Sequence, residues 1–271
     1  MERPGPPATL RNHVVICNCN SKVRRIVREI FLAAPDGSVD VLLIIQDERL
    51  WNQNPKWHPE PEWAEHTFEL IGAPGSREVL ARANVKEARA AVILADPPQG
   101  ELADARTTLL ALAIEAENRE VHTVVELVRS ENRAHLAQTA VDDVVCVGAI
   151  TEKLIAQSCV TPWVKDLVEN LLSSEPGTAQ TFLPGLPGGL LGYSYRQIAR
   201  AAILGDAPYV VCGFARFPED GHRGPPAVFI SPRAGVDPGK DTPLTPQDRL
   251  IVLGTDPPDL DQLVPIPRDP R

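Results

Sequence analysis

The sequence predicts an α/β protein: a Rossmann-like, doubly wound parallel sheet, a helical crossover hairpin, and a small α+β C-terminal lobe. Three observations predict it. Near-continuous apolar runs of strand length alternate with helical patterns through the first half, as strands buried on both faces of a parallel sheet require. A helix–Thr161-Pro162–helix stretch then breaks the alternation. A segment rich in Pro and Gly finally introduces a different order of helix and strands.

The first strand is HVVIC (13–17), and the helix at 21–34 follows it across a short polar turn. That is where G-x-G-x-x-G opens a dinucleotide fold, but here the three glycine places hold Asn18, Asn20 and Val23. Further strands are expected at VDVLLII (39–45), HTFELI (66–71), RAAVILA (89–95), VHTVVEL (121–127) and DVVCV (143–147). Helices are expected at 76–83, 101–118 and 130–139. Short links between such elements imply right-handed crossovers.

One link is too long for an ordinary loop. DERLWNQNPKWHPEPEWAE (47–65) carries three of the four tryptophans and three prolines. It reads either as a surface excursion packing its own aromatics, or as a docking surface or lid. Residues 149–174 read as two helices, with Pro162 in the first turn of the second. After EPGTAQTFLPGLPGG (175–189), a helix at 193–203 and strands at 207–214, 226–230 and 249–254 make a second, smaller unit. The expected division is 12–148, 149–175 and 176–262.

Composition narrows the function. Apolar residues at 43% support a core, and a net charge of −9 argues against a general nucleic-acid binder. No apolar run approaches the ~20 residues of a membrane span. The five cysteines are an odd number scattered through apolar segments, which suits a reducing cytoplasm. Cys17-x-Cys19 has no second Cys/His pair at ligand spacing, so buried thiols are expected there. Neither G-x-S-x-G, H-E-x-x-H nor a complete Walker A occurs, and the six histidines form no cluster by spacing.

The order of segments resembles the RCK family, regulators of potassium conductance, over about residues 12–256. HVVICNCNSKVRRIVREI is similar to its first strand and helix in a branch with a degenerate glycine turn. IGAPGSREVLARANVKEARAAVILAD (71–96), VVELVRSENRAHLAQTAVDDVVCVGAITEKLIAQS (124–158) and LTPQDRLIVLG (244–254) are similar to three later family segments. The resemblance implies a non-catalytic, ligand-sensing gating-ring module of a potassium channel or transporter. It would sit in the cytoplasm at the inner face of the membrane, paired with a second copy within a larger ring. A nucleotide such as NAD(H), ADP or ATP, or a divalent cation, would be its regulatory ligand. A scaffold without ligand and a nucleotide-dependent oxidoreductase are the alternatives.

Candidate residues follow. Asn tolerates a left-handed backbone, so Asn18 and Asn20 would keep the turn's shape while Val23 fills the place of a packing glycine. Asn18, Cys19, Asn20, Ser21 and Lys22 would border a nucleotide or another anion, unless the turn is kept for the fold alone. Asp47, near the ~20-residue offset from the turn, would meet a ribose or else be a solvated acid. Gly72 is retained before Ala73, which stands where the family has Asp, and Asp96 ends the fourth strand. Glu126 is the candidate metal ligand, but Val128 stands where a second acid would help, and calcium wants 6–8 oxygens. Asp104 and the Asp142-Asp143 pair could contribute to a cation site elsewhere, but isolated acids are mostly surface charge. Leu154, Ile155, Cys159, Trp163, Val164, Leu167, Val168, Leu171 and Leu172 would form a dimer seam, unless the chain's own core takes them.

Overall fold

A computed structural model of the chain describes residues 5–34, 37–95, 102–137, 139–218 and 225–263. The described residues group into two units, Met1–Lys165 and Asp166–Arg271.

In the first unit, β1 (Val14–Cys17), β2 (Val41–Ile45), β3 (Thr67–Ile71), β4 (Ala90–Ile93), β5 (His122–Leu127) and β6 (Asp143–Cys146) form one sheet in the order 3-2-1-4-5-6. Every pairing is parallel. This is the doubly wound order, with its topological switch between β1 and β4. The core strands VVIC and VLLII are buried throughout because helices cover both faces. On one face α1 (Val23–Ala33) sinks Val23, Val27 and Phe31 against β1 and β2. On the other, α3 (Arg77–Arg82) and α4 (Leu102–Glu117) pack Leu80, Leu110 and Ile114 over β1, β2, β4 and β5.

The excursion after β2 is folded. Asp47 caps α2 (Glu48–Gln53), and 3-10 turns follow at Pro55–Trp57 and Pro61–His66. Trp51 is buried, while Trp57 and Trp63 pack against the α1-side core, Trp63 stacking on Phe31 with centroids 5.3 Å apart. Its aromatics therefore serve the chain's own core. After β5, the predicted 130–139 helix is a 3-10 turn and one short helix, α5 (Arg133–Leu136).

The crossover begins directly at the end of β6 with α6 (Val147–Val160), and α7 (Val164–Leu172) follows. Pro162 does not enter the second helix, because Trp163 takes a left-handed conformation (φ 72°) between Pro162 and Val164.

The second unit is an antiparallel sheet, ordered β7 (Gln180–Phe182), β10 (Asp248–Gly254), β8 (Tyr209–Arg216) and β9 (Ala227–Ile230). Helix α8 (Tyr195–Leu204) begins with a capping box between Ser194 and Gln197 and buries Ile198 and Ala202 against Phe214 and Leu250. Strand β7 lies inside the Pro/Gly-rich stretch, where no strand was expected. At Gly213 an added Cβ would stand 2.1 Å from the Phe229 carbonyl oxygen, so only glycine lets β8 and β9 approach.

The pairing of β8 and β10 is held by Asp248, which is fully buried. Arg216 donates to it twice, from Nε (2.8 Å) and Nη2 (2.9 Å), and Thr245 donates its N–H (2.7 Å) and hydroxyl (2.9 Å). Burial pushes the Asp248 carboxyl up, but Arg216 and Thr245 outweigh it and hold the group below the usual carboxylate range. A depressed folded pKa means this contribution is complete above the unfolded value and is lost as pH falls through the folded one. Arg216→Met is therefore expected to lower stability at pH 7 by about 3 kcal/mol. The deficit in urea unfolding should shrink as pH falls, because burial without the guanidinium favours the protonated form of Asp248 in the variant.

Candidate functional site

The site is the crevice at the carboxyl ends of β1 and β4, where open α/β sheets bind ligands. Here the chain's own side chains close it. Asn18 leaves β1 in a left-handed conformation (φ 59°), and its Nδ2 donates to the Leu94 carbonyl at 3.0 Å. Asn20 Nδ2 donates to the Ala95 carbonyl at 3.0 Å, while its Oδ1 accepts the Lys22 N–H at 3.0 Å. Two amides thus join β1 to β4 across the switch point. Val23, the third glycine place, is the first residue of α1 and is fully buried in the core between that helix and the sheet.

Lys22 precedes α1 and has no side-chain cap bond. Its ammonium pairs with Glu126 Oε1 near the end of β5. Glu126 Oε2 accepts the Ala95 N–H at 3.0 Å. Ala95 therefore gives its carbonyl to Asn20 and its N–H to Glu126. Asn20, Ala95, Glu126 and Lys22 form a closed circuit, and both oxygens of the candidate metal ligand have partners within it. Among the described residues, no group of three or more His, Cys, Asp or Glu is placed to hold a metal ion.

The other candidates separate. Asp47 Oδ1 accepts the Leu50 N–H at 2.8 Å as the N-cap of α2. Gly72 receives α3 closely: a Cβ there would lie 2.6 Å from Val79 Cγ2. Ser21 is exposed at the turn. Cys19 donates weakly to the Ile16 carbonyl at 3.6 Å. Burial pushes the Cys17 thiol up to about 12, and raises the Cys19 thiol well above its ordinary value. Neither is poised as a nucleophile or ligand. Asp96 lies outside the described residues.

Asp104 corrects the sequence reading. It is buried rather than surface charge. It accepts the Val128 N–H (2.8 Å), the Arg129 N–H (3.1 Å) and Asn132 Nδ2 (2.6 Å), tying α4 to the end of β5. No local motif marks it, because its partners lie 24–28 residues away.

Helices α6 and α7 contain no buried residue. Ile155, Cys159, Trp163, Leu167 and Leu172 are exposed, Trp163 at 82%. Leu154, Val164, Val168 and Leu171 are half-buried.

The sequence model of the calcium-activated potassium channel slowpoke-like RCK domain matches residues 9–125. These residues are an RCK domain. The match covers β1 to β4 and the first part of β5, ending just before Glu126. The chain is also similar to the calcium-gated potassium channel TvoK of Thermoplasma volcanium, 26% identical over 171 residues, covering 60% of this chain and 44% of that one. It is similar to the putative potassium channel protein YugO of Bacillus subtilis, 28% identical over 118 residues, covering 43% and 32%. The chain spans less than half the length of these relatives. The human SLO3 gating ring shares its fold, with a TM-score of 0.62 and 14% identity over 90% of this chain and 44% of that one.

The RCK crevice yields a stability test. Asn18→Ala loses the bond to Leu94 and keeps a Cβ in the left-handed region without the side-chain amide that makes asparagine tolerant of it, whereas Asn18→Gly loses the bond and relieves the backbone strain. The alanine variant is expected to be less stable than the glycine variant by about 1 kcal/mol in urea unfolding.

Proposed function

We propose that this chain is the ligand-sensing regulatory part of a potassium channel or transporter, acting as a gating-ring module and catalysing nothing. In this reading residues 12–148 are the sensing lobe, 149–175 the crossover that clasps a second copy, and 176–262 the second lobe. The module works in the cytoplasm at the inner membrane face, joined to its pore in the same chain or in another. The RCK family match and the gating-ring fold support the reading. The observation that carries it is a crossover of one largely apolar and one amphipathic helix, neither with a buried residue. A regulator built this way works by differential affinity: a ligand moves the pore only as far as it prefers one arrangement of the paired lobes.

The ligand follows from the closed crevice. A nucleotide phosphate at the head of α1 has to displace Lys22 from Glu126 and compete with the amides of Asn18 and Asn20. A nucleotide such as NAD(H), ADP or ATP therefore binds here at the cost of opening that circuit. The scaffold reading, with no ligand at all, is favoured by the same circuit, since every candidate donor in it is already engaged.

Two experiments test the reading. Thermal shifts with NAD(H), ADP, ATP, Ca²⁺ and Mg²⁺ are expected to show stabilisation by a nucleotide, about 2.7 kcal/mol when it is present at a hundred times its Kd; no shift with any of them leaves the scaffold. Light scattering is expected to show a paired chain that Leu167→Asp converts to monomer. An unchanged oligomer in that variant removes the crossover from the account.

A further inference from the structure

The folded excursion after β2 and the edge strand β3 border a cavity of about 610 Å³, a volume in the range of small-molecule sites. Glu48 and Trp51 of α2, Leu70 and Ile71 of β3, and Arg82 of α3 line it. Neither Asn18, Asn20, Lys22 nor Glu126 does, so the cavity is separate from the crevice.

The cap at Asp47 fixes where α2 begins, and Glu48 and Trp51 then lie three residues apart on one side of it. The indole of Trp51 is held in place. The His58 ring stacks on it, with centroids 4.4 Å and planes 11° apart, and His58 Nε2 donates to the Trp51 carbonyl at 3.1 Å. Trp51 is only 2% exposed, yet its Nε1 is a buried donor without an acceptor. Buried polar groups are nearly always paired, so such a donor calls for an acceptor from outside the chain. Two charged side chains of the lining are open to solvent. Among the described residues, neither the Glu48 carboxylate nor the Arg82 guanidinium has an ion-pair or hydrogen-bond partner. Glu69, the other acid in the lining, already has a partner.

We propose that this cavity binds a free α-amino acid with an apolar side chain. The lining selects the class by what each simpler ligand leaves unanswered. An anion satisfies Arg82 and the indole N–H, but it meets the carboxylates of Glu48 and Glu69. A cation satisfies the acids and leaves both Arg82 and the Trp51 donor without an acceptor. A molecule that carries a carboxylate and an ammonium together answers all of them. Its carboxylate faces the guanidinium fork, whose geometry suits it, and the Trp51 N–H. Its ammonium faces Glu48. Its side chain covers Ile71, which is 47% exposed on an otherwise buried sheet, and the neighbouring Leu70. The site does not depend on a nucleotide in the crevice, and it would let the module answer to a second, chemically unrelated ligand.

The test reads the indole itself. The full chain holds four tryptophans, and ¹⁵N labelling gives each an indole N–H signal; Trp51→Phe assigns the one that matters. L-leucine, L-methionine and L-phenylalanine are titrated in turn at millimolar concentration. At least one is expected to move the Trp51 signal downfield, as a new acceptor does. The same molecule lacking its ammonium, or lacking its carboxylate, is expected to bind at least about tenfold more weakly by calorimetry. Arg82→Met and Glu48→Gln alter exposed side chains, so the free variants are expected to unfold at the temperature of the parent protein. Each is expected to weaken binding by about tenfold. If none of the three amino acids moves the Trp51 signal, the proposal is overturned. It is overturned equally if the ligand without its ammonium binds as tightly as the intact one, or if both variants bind as the parent does.

Discussion

The constraint on which the rest depends is the closure of the switch point between β1 and β4. A doubly wound sheet reverses its winding there, and the two strand ends diverge and leave a crevice. In a dinucleotide fold the crevice is left open by glycines and filled by pyrophosphate. In this chain Asn18 and Asn20 reach across it to the carbonyls of Leu94 and Ala95. Lys22 supplies the positive charge and Glu126 the negative. The polar groups that a ligand would satisfy are satisfied by the chain. This follows from the cost of leaving buried donors and acceptors unpaired: once the glycines are gone, the side chains that replace them have to find partners, and the nearest are on β4 and β5.

That circuit explains why the candidate site was legible only in part. The strand–turn–helix was visible because β1 is apolar throughout and α1 places Val23, Val27 and Phe31 on one face. The left-handed turn at Asn18 was readable from residue type, since Asn takes φ near 60° more readily than most. The Lys22–Glu126 pair was not readable, because 104 residues separate its members. Asp47 illustrates a different failure. An acid at the end of β2 suits a ribose and suits a helix N-cap equally well, and only the helix hidden in a proline-rich excursion decides for the cap. Strand β7 was masked in the same way, by the glycines and prolines around three residues that pair at the edge of a sheet.

The buried acids show how position decides meaning. Asp104, Glu126 and Asp248 are each buried, and each accepts a backbone N–H and at least one side-chain donor from another segment. Asp104 fastens α4 to β5, and Asp248 fastens β8 to β10. Both sit among partners that have no reason to move. Glu126 differs because its partner is a lysine at the mouth of the crevice, long, single-charged and in part solvated. An arginine fork in that place would hold its carboxylate at two points, as Arg216 holds Asp248. A lysine holds it at one.

A single-point contact between two elements that a ligand or a partner can approach is the arrangement a regulator needs. An interaction stiff enough to survive every state transmits nothing, because it does not distinguish them. The Lys22–Glu126 pair lies between the crevice on one side and the half-covered face of β4, β5 and β6 on the other. Opening it exposes a carboxylate to whatever covers that face, and the penalty for doing so grows as water is excluded. By reciprocity, a ligand that favours the open pair has to bind more tightly to the open crevice than to the closed one by the same factor.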